Sequence, residues 1–138
     1  MVPPLLREQI PTAAAVIPRR ILVVDDEPLI RWSICSALAA AGFEVVSAAD
    51  GAEARRMAAE WPPPRVVLLD RRAGEDAWAD LVEEFRTRYA DCRVVILTTA
   101  ADRLPADGVC PDVVLQKPFD LEQLVRLVRH LAADLAPA

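Results

Sequence analysis

The sequence predicts an α/β domain, a doubly wound five-stranded parallel sheet in the order 2-1-3-4-5. Three observations lead there. The apolar runs Ile21 to Val24, Val66 to Leu69, Val94 to Leu97 and Val113 to Leu115 are short and uninterrupted, as in strands covered on both faces. Stretches with apolar residues at helical spacing alternate with them, which calls for right-handed crossovers between parallel strands. Each run also ends in polar residues: Asp25-Asp26, Asp70, Thr98 and, after Gln116, Lys117. Sheets of this kind bind ligands outside the carboxyl ends of their strands, so these residues should meet in one crevice.

The elements follow in order. Residues 1–19 carry Pro3, Pro4, Pro11 and Pro18 around an alanine-rich middle, a composition that resists helix and sheet and reads as a flexible arm. The domain then spans residues 20–134, with 135–138 as a tail. Strand one is Ile21 to Asp25. Pro28 sits at a helix-initiating position, and Ile30, Ile34, Leu38 and Ala41 recur at helical spacing until Gly42 stops the helix. Strand two is Glu44 to Ala48. Asp50 and Glu53 form a capping box for a helix through Glu60, with Ala54, Met57 and Trp61 inward and Pro62-Pro63-Pro64 ending it. Arg65 to Asp70 is strand three. Trp78, Leu81, Val82, Phe85 and Tyr89 mark a third amphipathic helix, and Arg93 to Thr98 the fourth strand. Ala100 to Pro111 contains Pro105, Gly108 and Pro111, which leaves at most a short or irregular helix before the fifth strand. Asp120 with Gln123 caps a last helix whose Leu121, Leu124, Val125, Val128 and Leu131 line one face.

Bulk properties narrow the function. A chain of 138 residues with 54% hydrophobic content fits one domain and leaves no room for a second, output domain. Net charge −5 and a pI near 4.9 argue against direct nucleic-acid binding, which rests on a basic face. The pairs Arg19-Arg20, Arg55-Arg56 and Arg71-Arg72 are isolated and read as solvated surface. Cys35, Cys92 and Cys110 lack metal-type spacing and point to reduced thiols in a cytoplasmic protein, and no window approaches a membrane span. His130 falls on the polar side of the last helix.

The crevice carries the chemistry. Asp25, Asp26 and Asp70 as neighbours would repel and raise one another's pKa unless a cation neutralised them. Mg²⁺ suits them: it takes oxygen ligands, uses one or two carboxylates and leaves positions for phosphate oxygens. Lys117, the only lysine against 15 arginines, places a compact positive charge opposite, and Thr98 adds a hydroxyl. A carboxylate cluster, a hydroxyl and an ammonium at one strand edge suit a divalent cation and a phosphoryl group.

The segments "ILVVDDEP", "VVLLD", "VVILTT" and "VLQKPF" resemble the receiver domain of two-component response regulators, over about residues 20 to 133. The resemblance implies a flavodoxin-like fold and Mg²⁺-dependent transfer of a phosphoryl group from a sensor histidine kinase or phosphotransfer protein. It implies Asp70 as phosphoacceptor and nucleophile, Asp25 and Asp26 as the acidic metal-site pair, the metal anchored by Asp26 and Asp70 together with the backbone carbonyl of Arg72, Thr98 as switch hydroxyl and Lys117 as phosphate contact. A cis peptide at Lys117-Pro118 is implied as well. Such a protein catalyses its own phosphorylation and dephosphorylation only, and signals to a downstream protein through contacts, with homodimerisation left open.

Four departures from the family pattern stand out. Arg71, Arg72, Ala73, Gly74 and Glu75 replace the usual loop with its Met-Pro-Gly. Thr99 stands where Ala or Gly is usual, which narrows access. Val114 replaces the aromatic residue that rotates on activation. The link from Thr98 to Lys117 is short by about one helical turn. A receiver-fold scaffold independent of phosphorylation is the alternative. A haloacid-dehalogenase-type phosphatase would need an Asp-x-Asp after strand one and a later acidic motif, and a dinucleotide binder a G-x-G-x-x-G; the sequence has none of these.

Overall fold

The computed structural model describes residues 19–60, 63–72, 78–99 and 111–134. Several expectations lie outside the described residues: the N-terminal arm, the inward Trp61, the loop at Ala73 to Glu75, Cys110, the short or irregular helix between strands four and five, and the tail. The elements run β1 (Arg20–Val24), α1 (Pro28–Ala40), β2 (Glu44–Ala48), α2 (Gly51–Glu60), β3 (Val66–Asp70), α3 (Trp78–Arg88), β4 (Arg93–Thr98), β5 (Val113–Gln116) and α4 (Leu121–Asp134). The five strands form one sheet in the order β2-β1-β3-β4-β5, every pairing parallel.

Strand alternation sorts the core into two layers. Leu22, Val24, Val67, Leu69, Val94 and Ile96 face α2 and α3, where Ala54, Ala58, Trp78, Leu81, Val82 and Phe85 meet them. Ile21, Val23, Val66, Leu68, Val95, Leu97 and Leu115 face α1 and α4, against Ile34, Leu38, Leu124, Val128 and Leu131. All of β3 is buried. Each fully buried Leu or Ile contributes about 1.5–3 kcal/mol relative to exposure, so the two layers together hold the sheet between its helices.

The caps explain the helix ends. Glu27 accepts the Leu29 N–H and Pro28 opens α1; at the other end Gly42, at φ 99°, donates to Ala39 and Phe43 to Leu38, the paired bonds that close a helix through a left-handed residue. In α2 the Glu53 N–H donates to Asp50 Oδ1 at 2.8 Å, while the Glu53 carboxylate takes the Ala49 N–H at 2.7 Å, one residue earlier than a standard capping box.

Several boundaries differ from expectation for physical reasons. β1 starts at Arg20, which pairs in register with Glu44, and it ends at Val24 because Asp25 leaves the β3 ladder. β3 begins at Val66 and β5 extends to Gln116. Ile30 and Leu121, expected inward, are 41% and 40% exposed, because the first turns of α1 and α4 project beyond the carboxyl edge of the sheet. Ala58, a position sequence spacing passed over, is buried in α2, with Met57 only partly so. Arg55 is not merely solvated: its Nε bonds Glu84 at 2.7 Å, tying α2 to α3. Cys35 and Cys92 are free thiols, and burial pushes Cys92 up to about 12, leaving it unreactive. His130 is exposed on α4. Among the described residues no helix is long and apolar enough to cross a membrane.

Candidate functional site

Three strand ends build the site. Asp25 follows β1, Asp70 ends β3, and Lys117 follows β5, each continuing the row of side chains on the α1/α4 face of the sheet. Their meeting is thus a consequence of register: Val24 opposes Leu69, Asp70 opposes Leu97, and Leu97 opposes Leu115.

Asp25 is fully buried. Its N–H donates to the Ala48 carbonyl at 3.1 Å, and its Oδ1 accepts the Glu27 N–H at 2.9 Å. Oδ2 is buried with no hydrogen-bond partner among the described residues. Burial raises the Asp25 pKa above the usual carboxylate value; the Glu27 N–H opposes this, Asp70 adds to it, Lys117 opposes it and Asp26 adds to it. Asp26, exposed, completes a triad in which one oxygen from each of Asp25, Asp26 and Asp70 lies within 4.8 Å of the others. A buried carboxylate oxygen without a donor, among three hard anionic ligands, fits a small oxygen-seeking divalent cation such as Mg²⁺.

Asp70 is 4% exposed. Its Oδ1 receives the Lys117 ammonium at 3.1 Å and the Arg72 N–H at 3.4 Å. Thr98 is buried at the end of β4; its hydroxyl donates to the Thr99 carbonyl at 3.3 Å, and its own carbonyl accepts the Lys117 N–H at 2.7 Å. The Lys117-Pro118 peptide is cis. Asp25, Asp26, Asp70 and Lys117 are therefore in one cluster, with Thr98 hydrogen-bonded to the Lys117 backbone at its edge.

Two arginines make contacts that sequence reasoning did not assign. Arg31 Nη1 donates to the Asp25 carbonyl at 2.7 Å, reaching back over the first turn of α1. The available signal was spacing: Arg31 lies one helical turn after Glu27, on the side of α1 nearest the strand end. Arg71, read as solvated, lies over the Trp78 ring at 5.7 Å and is half-buried. A groove also opens beside Lys117, lined by Leu29, Ile30, Ser33, Ile34, Pro118, Phe119 and Leu121.

Comparison with known proteins points to one family. The sequence profile of the response regulator receiver domain matches residues 21–129. The chain is 36% identical over 115 residues, 81% of its length, to the transcriptional regulatory protein PrrA of Mycobacterium bovis. It is 32% identical over 117 residues, 83% of its length, to the probable transcriptional regulatory protein TcrX of Mycobacterium tuberculosis. The chain spans about half the length of these curated relatives, 49% and 50%. Among solved structures, response regulator protein TrrA of Thermotoga maritima, in complex with Mg²⁺-BeF, is similar at a TM-score of 0.70 and 30% identity, covering 82% of this chain and 98% of that one.

Proposed function

The chain belongs to the family of response regulator receiver domains, and we propose from that membership that it accepts a phosphoryl group on Asp70 from a histidine kinase or phosphotransfer protein. The observation that carries this reading is the Asp70 carboxylate itself. It is buried at the end of a central strand, joined to the single lysine at 3.1 Å and set within 4.8 Å of two further carboxylates. An Asp70 oxygen displaces the phosphohistidine nitrogen at phosphorus. The O–P bond forms as the P–N bond breaks, and imidazole leaves with the bonding pair and takes up a proton.

Asp25, Asp26, Asp70 and the Arg72 carbonyl would hold Mg²⁺, which when bound neutralises charge on the transferring phosphoryl oxygens. Lys117 supplies a fixed positive charge on the other side, and its backbone bond to Thr98 keeps the ammonium at the strand end. The Thr98 hydroxyl, now given to the Thr99 carbonyl, turns to a phosphoryl oxygen once one is present. Because Lys117 forms both the ion pair and one wall of the neighbouring apolar groove, a phosphodonor protein seated against Leu29, Ile30 and Leu121 faces Asp70. Output is by protein contact in the cytoplasm, without direct contact to nucleic acid.

Incubation with acetyl phosphate and Mg²⁺, read by intact mass, tests the assignment. The parent gains one phosphoryl group, and Asp70→Asn gains none while keeping its circular dichroism spectrum. Equal labelling of Asp70→Asn would overturn the role of Asp70. A parent that neither labels nor takes up beryllofluoride would favour the scaffold reading.

A further inference from the structure

Asp25 and Asp26 adjoin in sequence but are held very differently. Asp25 is locked by burial and by the Glu27 N–H. Asp26 is exposed, and its carboxylate has no hydrogen-bond or ion-pair partner among the described residues, yet it faces two other carboxylates that repel it. Its direction is set by the backbone from which it departs. The peptide joining Asp25 to Asp26 is planar, so the direction of the Asp25 carbonyl fixes the plane from which Asp26 departs. That carbonyl receives Arg31 Nη1 at 2.7 Å, a short charge-assisted bond. Arg31 is itself anchored, because its N–H donates to the Glu27 carbonyl at 2.9 Å in the first turn of α1 and its side chain is half-buried.

We infer that Arg31 is a positioning residue: by holding the Asp25 carbonyl it aims the Asp26 carboxylate at Asp25 and Asp70 and so sets the affinity of the site for a divalent cation. The inference rests on the reading of the triad as a Mg²⁺ site. It makes a prediction of opposite sign to simple electrostatics. Removing a positive charge near a cation site strengthens cation binding, whereas releasing the Asp25-Asp26 peptide weakens it. The Arg31 guanidinium meets the Asp25 carbonyl oxygen and not a carboxylate.

The test is Mg²⁺ titration of the whole chain by isothermal calorimetry, with no phosphodonor present. Arg31→Met should weaken Mg²⁺ binding by about tenfold, the low end of the range for residues that orient metal ligands. Arg31→Lys, which keeps the charge and one donor, should fall between Arg31→Met and the parent, and it serves as the measurement if Arg31→Met fails to fold. In acetyl phosphate labelling, the Mg²⁺ concentration for half-maximal rate should rise in parallel, with the rate at saturating Mg²⁺ near that of the parent. Unchanged or tighter Mg²⁺ binding in both variants overturns the inference while leaving the metal reading intact. A parent that binds no Mg²⁺ overturns the metal reading, and the inference with it.

Discussion

β3 and β5 each deliver one charged side chain to the same crevice, but they are built differently. β3 lies between β1 and β4 with all five residues buried, and Asp70 at its end is 4% exposed. β5 is a strand of four residues that, among the described residues, pairs only with β4, and it has Val114 at 43% exposure beside buried Leu115. The acidic half of the site is thereby fixed by the core, whereas the lysine half depends on a few local bonds at the sheet margin. One such bond pair is reciprocal: Asp112 Oδ2 accepts the Val94 N–H at 2.7 Å while the Asp112 N–H donates to the Val94 carbonyl at 2.9 Å. The difference suits a switch, since a response to phosphate needs one side that stays and one side that gives.

The largest effect should come from the lysine half. Lys117→Arg conserves charge but replaces a compact ammonium by a planar fork in a site 3.1 Å from Asp70. Labelling by acetyl phosphate should slow by about tenfold or more, part of the roughly hundredfold that loss of an oriented electrostatic donor costs. An unchanged rate would break the contrast, because it would mean that the edge half tolerates reshaping.

Asp112→Ala asks whether the halves are separable. Loss of the Val94 bond, together with the contacts to Arg86 at 3.7 Å and Arg93 at 3.8 Å, should cost about 2 kcal/mol in urea denaturation. Mg²⁺ affinity, which belongs to the acidic half, should stay within about twofold, well short of the loss that follows from disturbing a ligand-orienting residue. A large loss of Mg²⁺ affinity would show that the acidic half leans on the edge.

A smaller effect of opposite direction is expected at Asp25. Its folded pKa lies above 3.8, so between 3.8 and that raised value the folded chain keeps a proton that the unfolded chain has released. Stability therefore falls as pH rises through this window and stays lowered above it. Asp25→Asn removes that loss: without metal the variant should melt higher than the parent at neutral pH, with the gap closing as pH falls below the ordinary carboxylate range. Added Mg²⁺ should reverse the order, since Asn lacks the anionic oxygen. A metal-free variant less stable than the parent at neutral pH would show that Asp25 is stabilised as a carboxylate.

Much of this was legible in the chain. The buried runs of β1, β3 and β4 read as central strands because they are short, rich in Val and Ile, and uninterrupted, as strands covered on both faces are. Gly42 and Asp50 marked their helix ends through bonds between near neighbours, and near neighbours are visible in sequence. Ile30 and Leu121 misled for the converse reason. Helical spacing gives the side of a helix, but not how far its first turn overhangs the sheet.

The sequence by itself determined the alternation of strands and helices, the alternating faces of each strand and the row of polar residues at the carboxyl edge, since period and chain direction are local properties. Only the tertiary structure decided the distances: the 3.1 Å from Lys117 to Asp70, the orphaned oxygen of Asp25 and the reach of Arg31 to the Asp25 carbonyl. Those depend on how strands separated by dozens of residues register against one another and on which side chains the packed helix leaves free to turn back. No spacing rule encodes the first, because Asp70 and Lys117 are not neighbours in the extended chain; Arg31 is near Asp25 in sequence, but only the folded first turn of α1 brings its guanidinium back to that carbonyl.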